Sequence, residues 1–168
     1  MTSRMAELQS ALNRYGEASI QNMKITRALG EKLLTSFENY IGEPNCVCGV
    51  PPAGEWSPDT GDYRAAQFSF YQRGPLLVGP VSMGLALRIP HTKDKGSYWM
   101  RVVLEFLIEG DTWSVTVGNG KTIRGLPIEN AEAGLLPVHE EIFEYVKNIF
   151  LDPVSYFDAE KAGKIGFL

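Results

Sequence analysis

Residues 98–117 read YWMRVVLEFLIEGDTWSVTV, and their alternation decides the fold. Tyr98, Met100, Val102, Leu104, Phe106 and Ile108 fall on one side of an extended chain. Trp99, Arg101, Val103, Glu105, Leu107 and Glu109 fall on the other. A period of two over that length is a β-strand with one strongly apolar face. Gly110 and Asp111 then make a two-residue hairpin, with glycine at the first central position as a type II′ turn prefers. That turn sets Glu109 opposite Thr112, Ile108 opposite Trp113, Phe106 opposite Val115 and Leu104 opposite Val117. Apolar residues meet apolar residues throughout, so turn chemistry and hydrophobic pattern agree on the register.

Upstream, Met83, Leu85, Leu87 and Ile89 alternate with Ser82, Gly84, Ala86 and Arg88. The loop HTKDKGS joins this strand antiparallel to the first, with Ile89 opposite Tyr98, Leu87 opposite Met100 and Leu85 opposite Val102. Arg88 then neighbours Trp99, a candidate cation–π pair. Gly84 and Ala86 leave the second face nearly bare, open to close approach. Downstream, Asn119 and Gly120 mark another hairpin, and a three-residue loop with a bulge sets Ile123 opposite Val117.

Further out, residues 2–41 read as helical, with Met5, Leu8, Leu12 and Tyr15 at spacings of three and four. Gly16 is expected to break or kink the helix and Ser19 to cap a second one. Ile20, Met23, Leu29, Leu33, Phe37, Tyr40 and Ile41 line its buried side, and Gly42 and Pro44 end it. Residues 43–61, EPNCVCGVPPAGEWSPDTG, are rich in proline and glycine. They predict a short edge strand at 46–50, a stiff Pro51-Pro52 connector and Trp56 over one edge of the core. Residues 62–73 predict a strand with Ala66, Phe68 and Phe70 on one face. Leu76, Leu77 and Val78, bracketed by Gly-Pro pairs, either plug the core or form an apolar knuckle. A helix is expected over 137–151, stopped by Asp152 and Pro153. The tail 152–168 shows no clear period and is expected to lie over the domain or a second subunit. The sum is one α+β domain: an antiparallel meander of about four or five strands, with an N-terminal helical segment and a C-terminal helix packed on it.

The totals narrow the function classes. The chain has 168 residues and a net charge of −4, with dispersed basic residues, which disfavours nucleic acid and anionic membrane as partners. Its first residues hold no apolar run fit for a signal peptide, and no window suits a membrane span. Two cysteines and no export signal fit a reducing cytoplasm.

No chemical motif is complete. Gly120-Lys121-Thr122 lacks both the upstream glycine and the downstream helix of a phosphate loop. His139-Glu140-Glu141-Ile142-Phe143 has Phe143 where a zinc helix has its second histidine. Cys46, Cys48, His91 and His139 are poorly spaced for zinc, and neither a metal nor any other cofactor is expected. Glu105 and Glu109 beside Arg101 read as a solvated or partner-facing surface before they read as an acid–base pair.

Two functions remain. The first is a non-catalytic binding or adaptor protein, homo-oligomeric, using the N-terminal helices or the second sheet face. That face carries Arg88, Trp99, Arg101, Val103, Glu105 and Leu107, a mixture common at interfaces. Its charges reach solvent if the N-terminal helices cover it. The alternative is a small-molecule-binding protein or enzyme with a pocket between the sheet and the 43–61 loop, lined by Cys46, Cys48, Trp56, Tyr63 and His91.

Overall fold

The computed structural model describes residues 2–60, 63–71, 78–93 and 95–167, with side chains described through Phe157 except Tyr156. The fold is α+β. A long helix α1 (Arg4–Ile41) precedes five strands, β1 (Val47–Val50), β2 (Val81–Pro90), β3 (Ser97–Glu109), β4 (Thr112–Val117) and β5 (Thr122–Pro127). A second helix α2 (Leu135–Phe167) follows. The strands form one antiparallel sheet in the order β1-β2-β3-β4-β5, a meander.

The central register is the one the sequence dictates. Glu109 pairs with Thr112, Ile108 with Trp113, Phe106 with Val115 and Leu104 with Val117. Ile89 pairs with Tyr98, Leu87 with Met100 and Leu85 with Val102. Gly110 has φ +64°, the left-handed value its turn position needs. The next hairpin differs. Ile123 stays on the apolar face but pairs with Val115, because the turn closes after only three residues, 118–120, with Val117 N donating to Lys121 O. The irregularity sits at the far end instead, between Trp113 and Val115, where Gly125 at φ +69° lets β5 carry one extra residue.

Three chain segments depart from expectation. Helix α1 runs unbroken through Gly16, whose missing side chain touches nothing within 4 Å. A lone glycine lowers helix propensity by about 1 kcal/mol, too little to stop a capped helix. Ser3 is the cap, accepting from Ala6 N, and Gly42 closes the other end by donating to Glu38 O. Residues 64–67 form a 3-10 turn in place of a strand. Phe68 bridges to Met83 and Ser69 N donates to Ser82 O, while Phe68 and Phe70 stack at 5.0 Å in the core. Helix α2 begins two residues before Pro137 and continues through Pro153. Proline costs an interior helix one hydrogen bond and some steric strain but does not always end it. The predicted tail is therefore helix. The apolar pair Leu76 and Leu77 lies outside the described residues.

Both helices pack on the first sheet face. Leu29, Leu33 and Phe37 of α1 and Val138, Ile142 and Val146 of α2 are buried with Met83, Leu85, Val102, Leu104, Phe106, Trp113 and Val115. Gly30 lets α1 approach closely, since a side-chain carbon there would sit 2.7 Å from the Phe68 ring and 2.8 Å from Met83 Sδ. The helices meet with Ser36 and Tyr40 beside His139, and Tyr40 beside Phe143. Those contacts advance in step, so the helices run in the same direction.

Candidate functional site

Among the described residues, the buried apolar side chains of both helices belong to the core on the first sheet face, and the second face is covered differently. Its cover is local. The chain turns over after β1 so that the Val50 and Pro51 carbonyls sit on Gly84, in the space a larger side chain would fill. Arg101 fixes this loop: its Nη1 donates to Pro51 O at 3.0 Å and Gly54 O at 2.9 Å. The bare stretch read at Gly84 and Ala86 is thus occupied by the protein's own backbone. Arg101 is spent on that task and forms no ion pair with Glu105. Arg88 and Trp99 are cross-strand neighbours, yet the cation–π contact among the described residues is Lys147 over Phe143 at 5.4 Å. Trp99, Val103 and Leu107 are half-buried and Glu105 is exposed.

The residues expected to line a ligand pocket are dispersed. Cys46 is buried in the main core. Cys48 lines a cleft of about 760 Å³ at the free edge of β1, with Arg27, Glu31, Arg64, Gln67 and Trp99. His91 lines a different, more apolar groove of about 600 Å³ with Ile41, Leu87, Phe143 and Phe150. Trp56 and Tyr63 are half-buried and belong to neither lining; the Tyr63 hydroxyl accepts from Ser57 N at 3.0 Å. Both thiols are free. Burial, with Glu38 adding to it, raises each above its ordinary value, so they stay protonated and are weak nucleophiles at neutral pH.

One chemical juxtaposition escaped sequence reasoning. Ser36 Oγ lies 2.8 Å from His139 Nε2, across the α1–α2 contact and 103 residues away in sequence. A serine beside a histidine invites a catalytic reading. The bonding argues otherwise. Ser36 Oγ also donates to Leu33 O at 3.1 Å. When the one hydroxyl proton goes to Leu33 O, the hydroxyl accepts from His139 Nε2 and the histidine is a donor rather than a base. Burial pulls the His139 pKa below its ordinary value, so the neutral ring is the favoured form in the fold. The pair locks two helices together. The Gly120-Lys121-Thr122 triplet lies in and just after a hairpin turn, followed by strand β5 rather than a helix. Among the described residues, no three His, Cys, Asp or Glu side chains converge as a metal set, and no helix is long and apolar enough to cross a membrane.

Exposed apolar surface concentrates at the helix ends. Met5, Leu8 and Leu12 are 62%, 65% and 61% exposed, and Leu151, Val154 and Phe157 of α2 are exposed as well. The two ends leave the body at opposite ends of β2. Asn22 of α1 bonds Gly79 O just before that strand, and Phe150 of α2 meets Tyr98, the partner of Ile89 near its end. Comparisons with protein families, with curated proteins and with solved structures find no match for this chain.

Proposed function

We propose that the chain is a non-catalytic, oligomeric binding or adaptor protein that engages protein surfaces through the projecting N-terminal third of α1. The observation that carries this reading is the row of Met5, Leu8 and Leu12, each more than half exposed on one side of a helix. Large apolar side chains in a contiguous row are costly in water and mark contact sites. The second sheet face is the weaker candidate, since Arg101 already serves the protein's own loop. An acidic chain with net charge −4 supports a protein partner over nucleic acid or membrane. Two free thiols are consistent with the cytoplasm.

The test compares what co-purifies with the wild-type chain and with a Leu8→Glu/Leu12→Glu variant. The expected result is a component, including a second copy of the chain, held by the former and lost by the latter. The same components on both would overturn the reading. A second reading, a small-molecule site near the 43–61 loop, rests on the 760 Å³ cleft lined by Cys48, Gly49 and Pro58. Mass spectrometry of the protein under native conditions would reveal a retained small molecule there, and Cys48→Trp would displace it.

A further inference from the structure

We propose that the groove beyond the end of α1, between α2 and the end of β2, binds an amphipathic carboxylate: a small molecule with a linear apolar tail and an anionic head. The site is separate from the α1 row and from the 760 Å³ cleft, and it stands or falls without them.

The groove follows from unequal helix lengths. The two helices run side by side on the first sheet face, and Tyr40 meets Phe143 at 6.3 Å. Helix α1 ends one residue later, at Ile41, while α2 continues past Phe150. The α2 stripe of Phe143, Val146 and Phe150, spaced three and four apart, runs on over β2 without that neighbour. Together with Ile41, Leu87 and Ile89 it lines about 600 Å³, a volume in the range of small-molecule sites. The floor is buried and the rim is open: Leu87 and Val146 are each 5% exposed, Phe143 and Phe150 each 40%. Tyr40 and Tyr98 meet the two rim rings edge-on, Tyr98 at 5.7 Å from Phe150. A ligand therefore enters between walls that are already placed, and less of its binding is lost to ordering them.

The lining accounts for the tail, and the charge at the groove accounts for the head. Among the described residues, Arg88, His91 and Lys147 line the groove against one carboxylate, Glu43, in a chain of net −4. Helix α2 divides its charges in the same sense. Glu140, Glu141 and Glu144 line the cleft beside β5, whereas Lys147 lines this groove. Its Nζ lies 5.4 Å from the centre of the Phe143 ring, at the rim. Lys147 also pairs with Glu144 at 2.7 Å, with side chains 42% and 49% exposed. A surface pair of that kind is worth little, so a ligand carboxylate can share the ammonium. Arginine adds a planar fork suited to a carboxylate. A neutral apolar molecule would leave these cations unused, and a wholly polar one would leave the buried floor unused.

The test is calorimetric titration of the wild-type chain with straight-chain saturated acids from hexanoate to dodecanoate. Each added methylene should tighten binding about fourfold until the groove is full, the transfer value of one buried CH₂. Decanol should bind about tenfold more weakly than decanoate, the loss of a charge-assisted contact. Arg88→Gln/Lys147→Gln should erase that preference while decanol still binds, and Leu8→Glu/Leu12→Glu should bind decanoate as the wild type does. Methyl NMR spectra of the wild type locate the ligand without relying on any variant. Decanoate should shift the methyl signals of Leu87, Ile89 and Val146 and leave Leu8, Leu12 and Leu34 unmoved. No binding by any acid of the series, affinity indifferent to tail length, or decanol binding as tightly as decanoate would each overturn the proposal. So would shifts confined to Leu34, which would put the ligand in the 760 Å³ cleft, or to Leu8 and Leu12, which would put it on the α1 row.

Discussion

The two ends of α1 share one helix and one spacing of apolar residues, yet they meet opposite fates. Leu29, Leu33 and Phe37 are buried against the sheet, whereas Met5, Leu8 and Leu12 stand in solvent. Between them, the same side of the helix turns polar: Ser19, Asn22 and Thr26 are the buried residues there, and Asn22 reaches the Gly79 carbonyl. Periodicity therefore announces that a helix has a face. It does not say what covers that face, and in this chain the sheet covers only the C-terminal part.

The strongest way to break this comparison is to truncate the covered end. Phe37 is fully buried and stacks with Tyr40 at 6.1 Å. Phe37→Ala should cost about 3–5 kcal/mol, the usual loss for a buried aromatic replaced by alanine, read as a shift in the urea midpoint. A loss under about 1 kcal/mol, the size typical of an average substitution, would mean that α1 is not clamped to the sheet as described.

Two glycines in α1 sharpen the contrast next. Gly30→Ala gains helix propensity but drives a carbon into Phe68 and Met83, and overpacking of this kind costs about 1–3 kcal/mol. Gly16→Ala meets nothing within 4 Å and should stabilise by about 0.5–1 kcal/mol. Thermal melts of the two variants should move in opposite directions.

This pair also shows how far the sequence could be read. Strand registers were legible because a two-residue turn and an alternating face fix each other, and the β2–β3–β4 pairing follows from them. The sequence marked Gly16 as a break, yet the helix runs through it; packing against Phe68 and Met83 makes Gly30 the glycine that the fold requires. Pro153 was misread because an interior proline costs a helix one hydrogen bond and some strain without always ending it. The loop over the second face was half legible. Gly84 signalled close approach, but nothing local tied that approach to Arg101 and residues 51–54. Contacts such as Ser36 with His139 join residues 103 apart and leave no sequence pattern at all.

His139 sets the next test, where α1 and α2 lock. Its pKa is lowered in the folded state by burial, so the unfolded chain takes up a proton more readily. Stability is then fully present above the unfolded histidine value of about 6.5 and falls as the pH drops below it. Denaturant midpoints between pH 7 and pH 5 should decline for the wild type. His139→Gln keeps an N–H donor for Ser36 and should flatten that part of the decline, and an unchanged slope would show that His139 does not carry it.

Thr26 offers a smaller effect with the opposite sign. Its Oγ1 is buried and has no hydrogen-bond partner among the described residues. Thr26→Val keeps the shape and removes the unsatisfied oxygen, so a gain of about 1 kcal/mol is expected. A loss would place a water molecule or a further polar group at that hydroxyl.

The least effect belongs to the uncovered end, and it is the most informative. In dilute protein, Leu12→Ala removes side-chain surface that water already reaches, so folding stability should change by no more than about 0.5 kcal/mol. The same substitution measured at hundreds of micromolar should cost more, because a helix that gains a covering partner stabilises the folded chain by mass action. A cost that grows with concentration ties the exposed row to association. A cost that is large at every concentration would mean that Leu12 is covered within its own chain, and the difference between the two ends of α1 would vanish.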